Sequence, residues 1–131
     1  MILDKGLILS DAQVVTTTAT STDYIDQLAA GDAIGAFGWF ICSIAVTLAT
    51  GTSIKVTLQH DSDSAFGTVT TLVDGPVLTT AVANAAKTLL AVKIPLNAKR
   101  YIRANYTIVG TYDTGSAVDA FITFSPQTLF K

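Results

Sequence analysis

The feature that most constrains this chain is the strict alternation of apolar and polar side chains in short runs, because a period of two belongs to half-buried strands. The clearest run lies at 101–109, where the even-numbered positions are apolar. The alternating sets are Ile102, Ala104, Tyr106 and Ile108 against Tyr101, Arg103, Asn105 and Thr107. No amphipathic helical period competes with this pattern, so the chain is predicted to fold from strands.

The run before it repeats the pattern with Leu90, Val92 and Ile94. Pro95 ends that strand because it offers no backbone donor, and residues 97–99 are typical of a short turn. The sequence therefore predicts a hairpin over 89–109. Four positive charges would gather on or near it as a basic edge: Lys93, Lys99, Arg100 and Arg103.

Further strands are predicted at roughly ten-residue spacing. Residues 38–49 alternate, and 53–60 return after a turn at 49–52, which predicts a second hairpin. A strand at 69–73 should end in a turn at 74–76, residues 77–88 are ambiguous between a helical turn and a strand, and a last strand from 118 should lie beside 101–109. The predicted core is Phe40, Ile44, Val46, Ile54, Val56, Leu58, Ile102, Ile108, Ile122 and Phe124.

These strands predict an all-β fold, an antiparallel β-sandwich or jelly roll, in one domain over residues 1–131. Residues 1–9 begin with apolar side chains and are either a docking arm or a first edge strand. Residues 125–131 follow Ser125 and Pro126 as a short tail with two large apolar residues. Apolar chain ends of this kind suit contact with a neighbouring subunit.

Composition limits the partners. Charged residues make up 14% of the chain and the formal net charge is −2, against about 25% charged residues in a typical soluble domain. Nucleic acid is excluded as a partner because its binding needs many positive charges facing phosphates. The most apolar segment, 36–48, is too short to cross a bilayer as a helix, so no membrane partner is expected. No signal peptide is apparent at the start, so export by the usual secretory route is not expected and the protein is predicted to be made in the cytoplasm.

The chain has few side chains that commonly serve as catalytic bases or nucleophiles, with one histidine and one cysteine. Cys42 lies in an apolar strand pattern and is predicted to be plain core. A calcium loop starting at Asp61 would need glycine and a carboxylate at positions held by Phe66 and Leu72, so Asp61 and Asp63 are expected to accept local backbone hydrogen bonds instead. We expect no catalytic residue, no metal and no cofactor.

Several short motifs, in a characteristic order, resemble those of a known family. They are MILD at 1–4, SDAQ at 10–13, LQ at 58–59 followed by DSDSAF at 61–66, Pro95, KRYIR at 99–103 and NY at 105–106. The chain resembles the capsid cement (decoration) proteins of tailed bacteriophages, of the jelly-roll type first described on a Bordetella phage. The resemblance implies an external jelly roll that binds the major capsid protein, forms oligomers and has no catalytic site.

From the residues, the partner-binding set is predicted to combine the apolar start with the basic edge: Ile2, Leu3, Leu7, Ile8, Lys99, Arg100 and Arg103. The expected partners are the major capsid protein and further copies of this chain, as a dimer or a trimer, on the outer surface of the virion. Two alternatives remain open. One is a carbohydrate-binding module with Trp39 or Tyr112 as an exposed platform, and the other is a hydrolase that uses Asp23 and Asp26.

Overall fold

The structure is a computed structural model that describes residues 8–26, 38–95 and 98–123. Within these ranges the chain forms short strands and one two-turn helix. The elements are β1 (Ile8–Val14), β2 (Ala19–Thr20), β3 (Ile25–Asp26), β4 (Trp39–Val46), β5 (Ser53–Asp61), β6 (Thr70–Thr79), α1 (Thr80–Ala86), β7 (Thr88–Lys93), β8 (Tyr101–Val109) and β9 (Ala117–Thr123).

The strands form two antiparallel sheets. Sheet 1 has the order β1-β9-β4-β7, and sheet 2 has the order β2-β8-β5-β6, with β3 pairing to β8 beside β2. Apart from β3, this is the strand order of an eight-stranded jelly roll. The predicted all-β antiparallel sandwich is confirmed.

The core lies between the sheets. Phe40, Ile122 and Cys42 enter it from sheet 1, and Leu58 and Ile102 enter it from sheet 2. Seven of the ten predicted core residues are buried, and Ile44 is half-buried against the same cluster. The buried seven are Phe40, Ile54, Val56, Leu58, Ile102, Ile108 and Ile122. Phe124 lies outside the described residues.

Val46 was predicted to lie in the core, and this is wrong. Its side chain is 50% exposed. Ile44 pairs with Val118 and Val46 pairs with Ala117, so two residues of β4 occupy the length of one residue of β9. Such a bulge reverses the alternation beyond it, and Val46 therefore turns to the outer side.

All three predicted strand pairings are also wrong. β7 and β8 lie in different sheets, as do β4 and β5, and β9 pairs with β1 and β4 instead of β8. Alternation shows which side of a strand is buried but does not identify its partner. Packed sheets are about 10 Å apart, a distance that three or four extended residues can span, so a short link suits a crossing as well as a hairpin.

The predicted turn at 74–76 is a continuous part of β6. This strand is the edge of sheet 2, and Pro76 lies at an irregularity in its register with β5, which are two places where a strand tolerates proline. A Cβ at Gly75 would lie 2.4 Å from the backbone oxygen of Val56, so glycine allows β6 to approach β5 closely here. The register between these two strands is irregular at the same place. The ambiguous segment 77–88 completes β6 and then forms α1, whose N-cap is Thr79. No helix in the described ranges is long and apolar enough to cross a membrane.

Candidate partner-binding surface

The predicted basic residues lie at the beginning of β8, where it meets the end of β5 and the short strand β3. Tyr101 pairs with both Asp61 and Asp26, and Arg103 pairs with Gln59. Lys99 and Arg100 precede this strand directly. Lys93, in contrast, lies in β7 of sheet 1, so the prediction that it shares a hairpin with the other three cations is wrong.

Arg100 binds a carboxylate of the same chain. Its Nε donates to Asp26 Oδ1 at 2.7 Å, and its Nη2 donates to Asp26 Oδ2 at 3.0 Å. The hydrogen bond to Asp26 raises the pKa of the Arg100 guanidinium, and the two parallel bonds fix its orientation. Asp26, which the hydrolase alternative requires as a catalytic carboxylate, is the partner in this ion pair.

Arg103 has a different environment. Its Nε donates to the neutral amide oxygen Oε1 of Gln59 at 2.9 Å, and its guanidinium carbon lies 4.3 Å from the centroid of the Phe66 ring. That distance is within the range of a cation–π interaction. Among the described residues, no carboxylate forms an ion pair with Arg103.

Three aromatic rings surround these arginines. Tyr24 packs edge to face against Phe66, with centroids 5.9 Å apart, and against Tyr101, with centroids 5.6 Å apart. The Tyr24 side chain is 48% exposed, whereas Phe66 is buried. We define the arginine–aromatic patch as these five residues: Tyr24, Phe66, Arg100, Tyr101 and Arg103.

A buried histidine anchors the chain at the start of this patch. The backbone N–H of Lys99 donates to His60 Nδ1 at 3.0 Å. Burial, and after it the positive charge of Lys99, lower the pKa of His60, and the nearby Asp61 opposes them only in part. His60 is therefore the neutral imidazole with its proton on Nε2, and it holds the backbone from which Arg100 and Arg103 extend.

The neighbouring acidic loop has a structural role. Asp61 accepts hydrogen bonds from the backbone N–H groups of Thr68 at 2.8 Å and Asp63 at 3.2 Å, and Asp63 accepts one from Ala65 at 3.2 Å. Burial alone would raise the pKa of Asp61, but these backbone donors and the charge of Lys99 lower it overall. The expectation of local hydrogen bonds is confirmed, and Phe66 is buried at the end of this loop.

Cys42 is buried, as predicted, and burial followed by the negative charge of Asp119 raises the pKa of its thiol. It lies in sheet 1 and His60 lies in sheet 2. The predicted hairpin of residues 38–49 with 53–60 would have placed these two residues on adjacent strands, whereas the sandwich places their strands in opposite sheets.

The apolar start of the chain is described only in part. Ile2, Leu3 and Leu7 lie outside the described residues. Ile8 is the first residue of β1 and pairs with Phe121, and Leu9 is fully buried in the core. Residues 8 and 9 therefore belong to the jelly roll, and an arm can extend no further than residue 7.

The proposed carbohydrate platforms differ in exposure. Tyr112 is buried, and its hydroxyl forms a 2.9 Å hydrogen bond with that of Thr80, so the prediction of an exposed Tyr112 is wrong. Trp39, at the start of β4, is half-buried. Among the described aromatic residues, the exposed one is Tyr24, which packs against Phe66 and Tyr101 and which the alternation pattern gave no reason to select.

Comparison with known proteins identifies the family. Residues 9–122 match the model of the Bbp16 family, which is named after a Bordetella phage protein. The chain belongs to the Bbp16 family. Among curated proteins, no sequence matches it. The family assignment confirms the resemblance to a Bordetella phage protein and makes this a phage-associated chain.

The Bbp16 match begins in β1 and ends in β9, so it covers nearly the whole jelly roll. All five residues of the arginine–aromatic patch lie inside it. The apolar residues Ile2, Leu3, Leu7 and Ile8 precede it. The patch therefore lies within the matched part of the chain, and these four residues lie before it.

Proposed function

We propose that this chain is a capsid decoration, or cement, protein that binds the outside of a tailed-phage head and stabilises the shell of major capsid protein. It would be made in the host cytoplasm and carried on the outer surface of the virion. The observation that carries this proposal is the Bbp16 match over residues 9–122, which spans the jelly roll of a phage-associated chain.

Apolar contacts and ion pairs would contribute differently to the binding of such a protein to the shell. Burying a large aliphatic side chain is worth about 1.5–3 kcal/mol, less the entropy of ordering the segment, whereas an exposed ion pair is typically worth under about 1 kcal/mol. Ile2, Leu3, Leu7 and Ile8 would therefore set the affinity. Lys99, Arg100 and Arg103 would guide orientation and association rate, and many copies on one particle would add avidity.

The test uses heads purified from a phage that lacks this gene. The full-length protein is added, the heads are sedimented, and occupancy is measured together with resistance of the heads to heat. We expect saturable binding and an increase in the temperature at which the heads rupture. A full-length protein that leaves the heads uncoated and equally fragile would overturn the proposal.

The contribution of the arm is tested by removing residues 1–7. The deletion must end there because Leu9 is fully buried in the core. We expect the shortened protein to keep its cooperative thermal unfolding while its occupancy on heads falls sharply after dilution. Unchanged occupancy would show that the arm is not a docking element.

We also propose that the isolated chain associates with itself as a dimer or a trimer, since its low charge and apolar ends favour burial against further copies. Sedimentation velocity at micromolar concentration measures this directly. A single species with the mass of one chain would contradict it.

A further inference from the structure

We propose that the arginine–aromatic patch receives an acidic side chain of the shell subunit, and that Arg103 is the residue that binds it. This inference rests on the proposed function, since it assumes that the partner is the outer surface of a capsid. It assigns to Arg103 a role that Arg100, three residues earlier, does not share.

Arg103 differs from Arg100 in its electrostatic environment, because no carboxylate forms an ion pair with it among the described residues. Asp26 binds Arg100 through two hydrogen bonds, and Asp61 interacts electrostatically with Lys99. Arg103 contacts the neutral Gln59 and the Phe66 ring. The charge of Arg103 is thus not matched by an ion pair within the described part of the chain.

The guanidinium group of Arg103 has a geometry that suits a carboxylate. A guanidinium group has five N–H donors, and the one hydrogen bond that Arg103 makes to a described residue uses Nε. The Phe66 ring covers one face of the group, so its Nη edge remains for a ligand. Two N–H donors on a planar fork match the two oxygens of a carboxylate.

The Arg103 side chain is preorganised for binding. Gln59 and Phe66 already hold the Arg103 side chain in one orientation, so less conformational entropy is lost when a partner binds. Tyr24 adds an exposed aromatic edge that is itself fixed against two rings. Tyrosine and arginine are among the residue types enriched in the few side chains that dominate protein–protein affinity. One uncompensated cation suits an acidic side chain better than a nucleic acid, which requires many contacts.

The experiment compares two variants that each remove one positive charge from sheet 2, Arg103→Gln and Lys55→Gln. Lys55 pairs with Asp74 at 2.7 Å, so its charge is already matched within the chain. Binding to heads that lack the protein is measured as a function of salt. Because the pair with the shell carboxylate would be only partly shielded from water, we expect Arg103→Gln to raise Kd by about three- to fivefold at low salt, mainly through slower association. Lys55→Gln should stay within about twofold of the unmodified chain.

Arg103→Lys supplies a second measurement, since it keeps the charge and removes the planar fork. We expect it to bind less tightly than the unmodified chain and more tightly than Arg103→Gln. Thermal unfolding of each variant confirms that it folds. If the unmodified protein coats heads and Arg103→Gln binds as tightly, the inference is overturned while the proposed function stands. If the unmodified protein ignores heads, or binds glycans in their place, both are overturned.

Discussion

The outer faces of the two sheets differ in chemistry although the strands pair in the same antiparallel way. On sheet 1, side chains that point away from the core cluster include Ile41, Ala117 and Phe121, and all three are buried. On sheet 2, the corresponding positions of β5 and β8 are polar: Lys55 and Asn105 are partly exposed, and the small side chain of Thr57 is buried. Near their centres, sheet 1 therefore buries apolar side chains on both sides, whereas sheet 2 buries them on one side only and is in this sense a one-sided sheet.

This difference explains why the alternation of apolar and polar residues reveals the buried side of some strands and not of others. In β8, buried residues alternate without a break with exposed or partly exposed ones over residues 101–108, because one side meets the core and the other meets solvent. In β9 six of seven residues are buried, so polarity no longer marks the two sides. A strand of sheet 1 consequently tolerates fewer substitutions than a strand of sheet 2.

Truncation of Ile41 tests this contrast most strongly. Ile41→Ala removes buried atoms from the outer face of sheet 1 and should lower the free energy of unfolding by about 2–5 kcal/mol. Asn105→Ala removes as many side-chain heavy atoms from sheet 2 and should change it by less than about 0.5 kcal/mol. Urea unfolding of both variants provides the measurement. Equal losses would show that the two outer faces do not differ in burial.

Substitution of Gly75 tests how closely β6 must approach β5 at the edge of sheet 2. Gly75→Ala places a methyl group 2.4 Å from the backbone oxygen of Val56, which cannot move as a side chain can. We expect a loss of about 1–3 kcal/mol, the usual cost of overpacking. At Gly115 a Cβ would meet no atom within 4 Å, so Gly115→Ala serves as the control and should be close to neutral in the same unfolding measurement.

Much of the fold could be predicted because the hydrophobic pattern of single strands is local. The buried sides of β5 and β8 follow directly from alternation, and so does the all-β class. Strand partners could not be predicted, since Leu48 to Thr52 form a link that reads equally well as a hairpin or as a crossing between sheets. The exposure of Val46 depends on a bulge, which polarity does not encode.

The candidate site could be predicted only in part, for a related reason. Lys99, Arg100 and Arg103 are close in sequence, so their proximity in space was expected. Phe66 reaches Arg103 from a loop 37 positions earlier, and Asp26 reaches Arg100 across 74 positions. Only the tertiary fold distinguishes an arginine whose charge is matched from one whose charge is not.

The stability of sheet 2 should also depend on pH through His60. Its pKa is lowered in the folded chain, so the unfolded chain binds more protons below its ordinary pKa of about 6.5. Stability should be complete above that pH and should decline as the pH falls from there towards the folded pKa. Protonated Nδ1 can no longer accept the hydrogen bond from the Lys99 N–H.

His60→Asn provides the control for this pH dependence. The amide oxygen of asparagine can accept the Lys99 N–H and does not titrate. Denaturant unfolding at a series of pH values between 7 and 5 should show a decline for the unmodified chain and a flatter profile for the variant. Identical slopes in the two proteins would assign the decline to another group.

The smallest effect is expected at the ion pair between Lys55 and Asp74 on the outer face of sheet 2. The Lys55 Nζ lies 2.7 Å from Asp74 Oδ1, and the two side chains are 29% and 59% exposed. Water and salt screen such a pair, and ordering two flexible side chains offsets part of the attraction, so its coupling should be about 0.2–1 kcal/mol. A double-mutant cycle with Lys55→Gln and Asp74→Asn isolates this term, since neither change removes apolar packing from the core. The coupling should shrink further as salt is added. A coupling well above about 1 kcal/mol that resists salt would mean that this face is shielded from solvent, and the contrast between a two-sided sheet 1 and a one-sided sheet 2 would then fail.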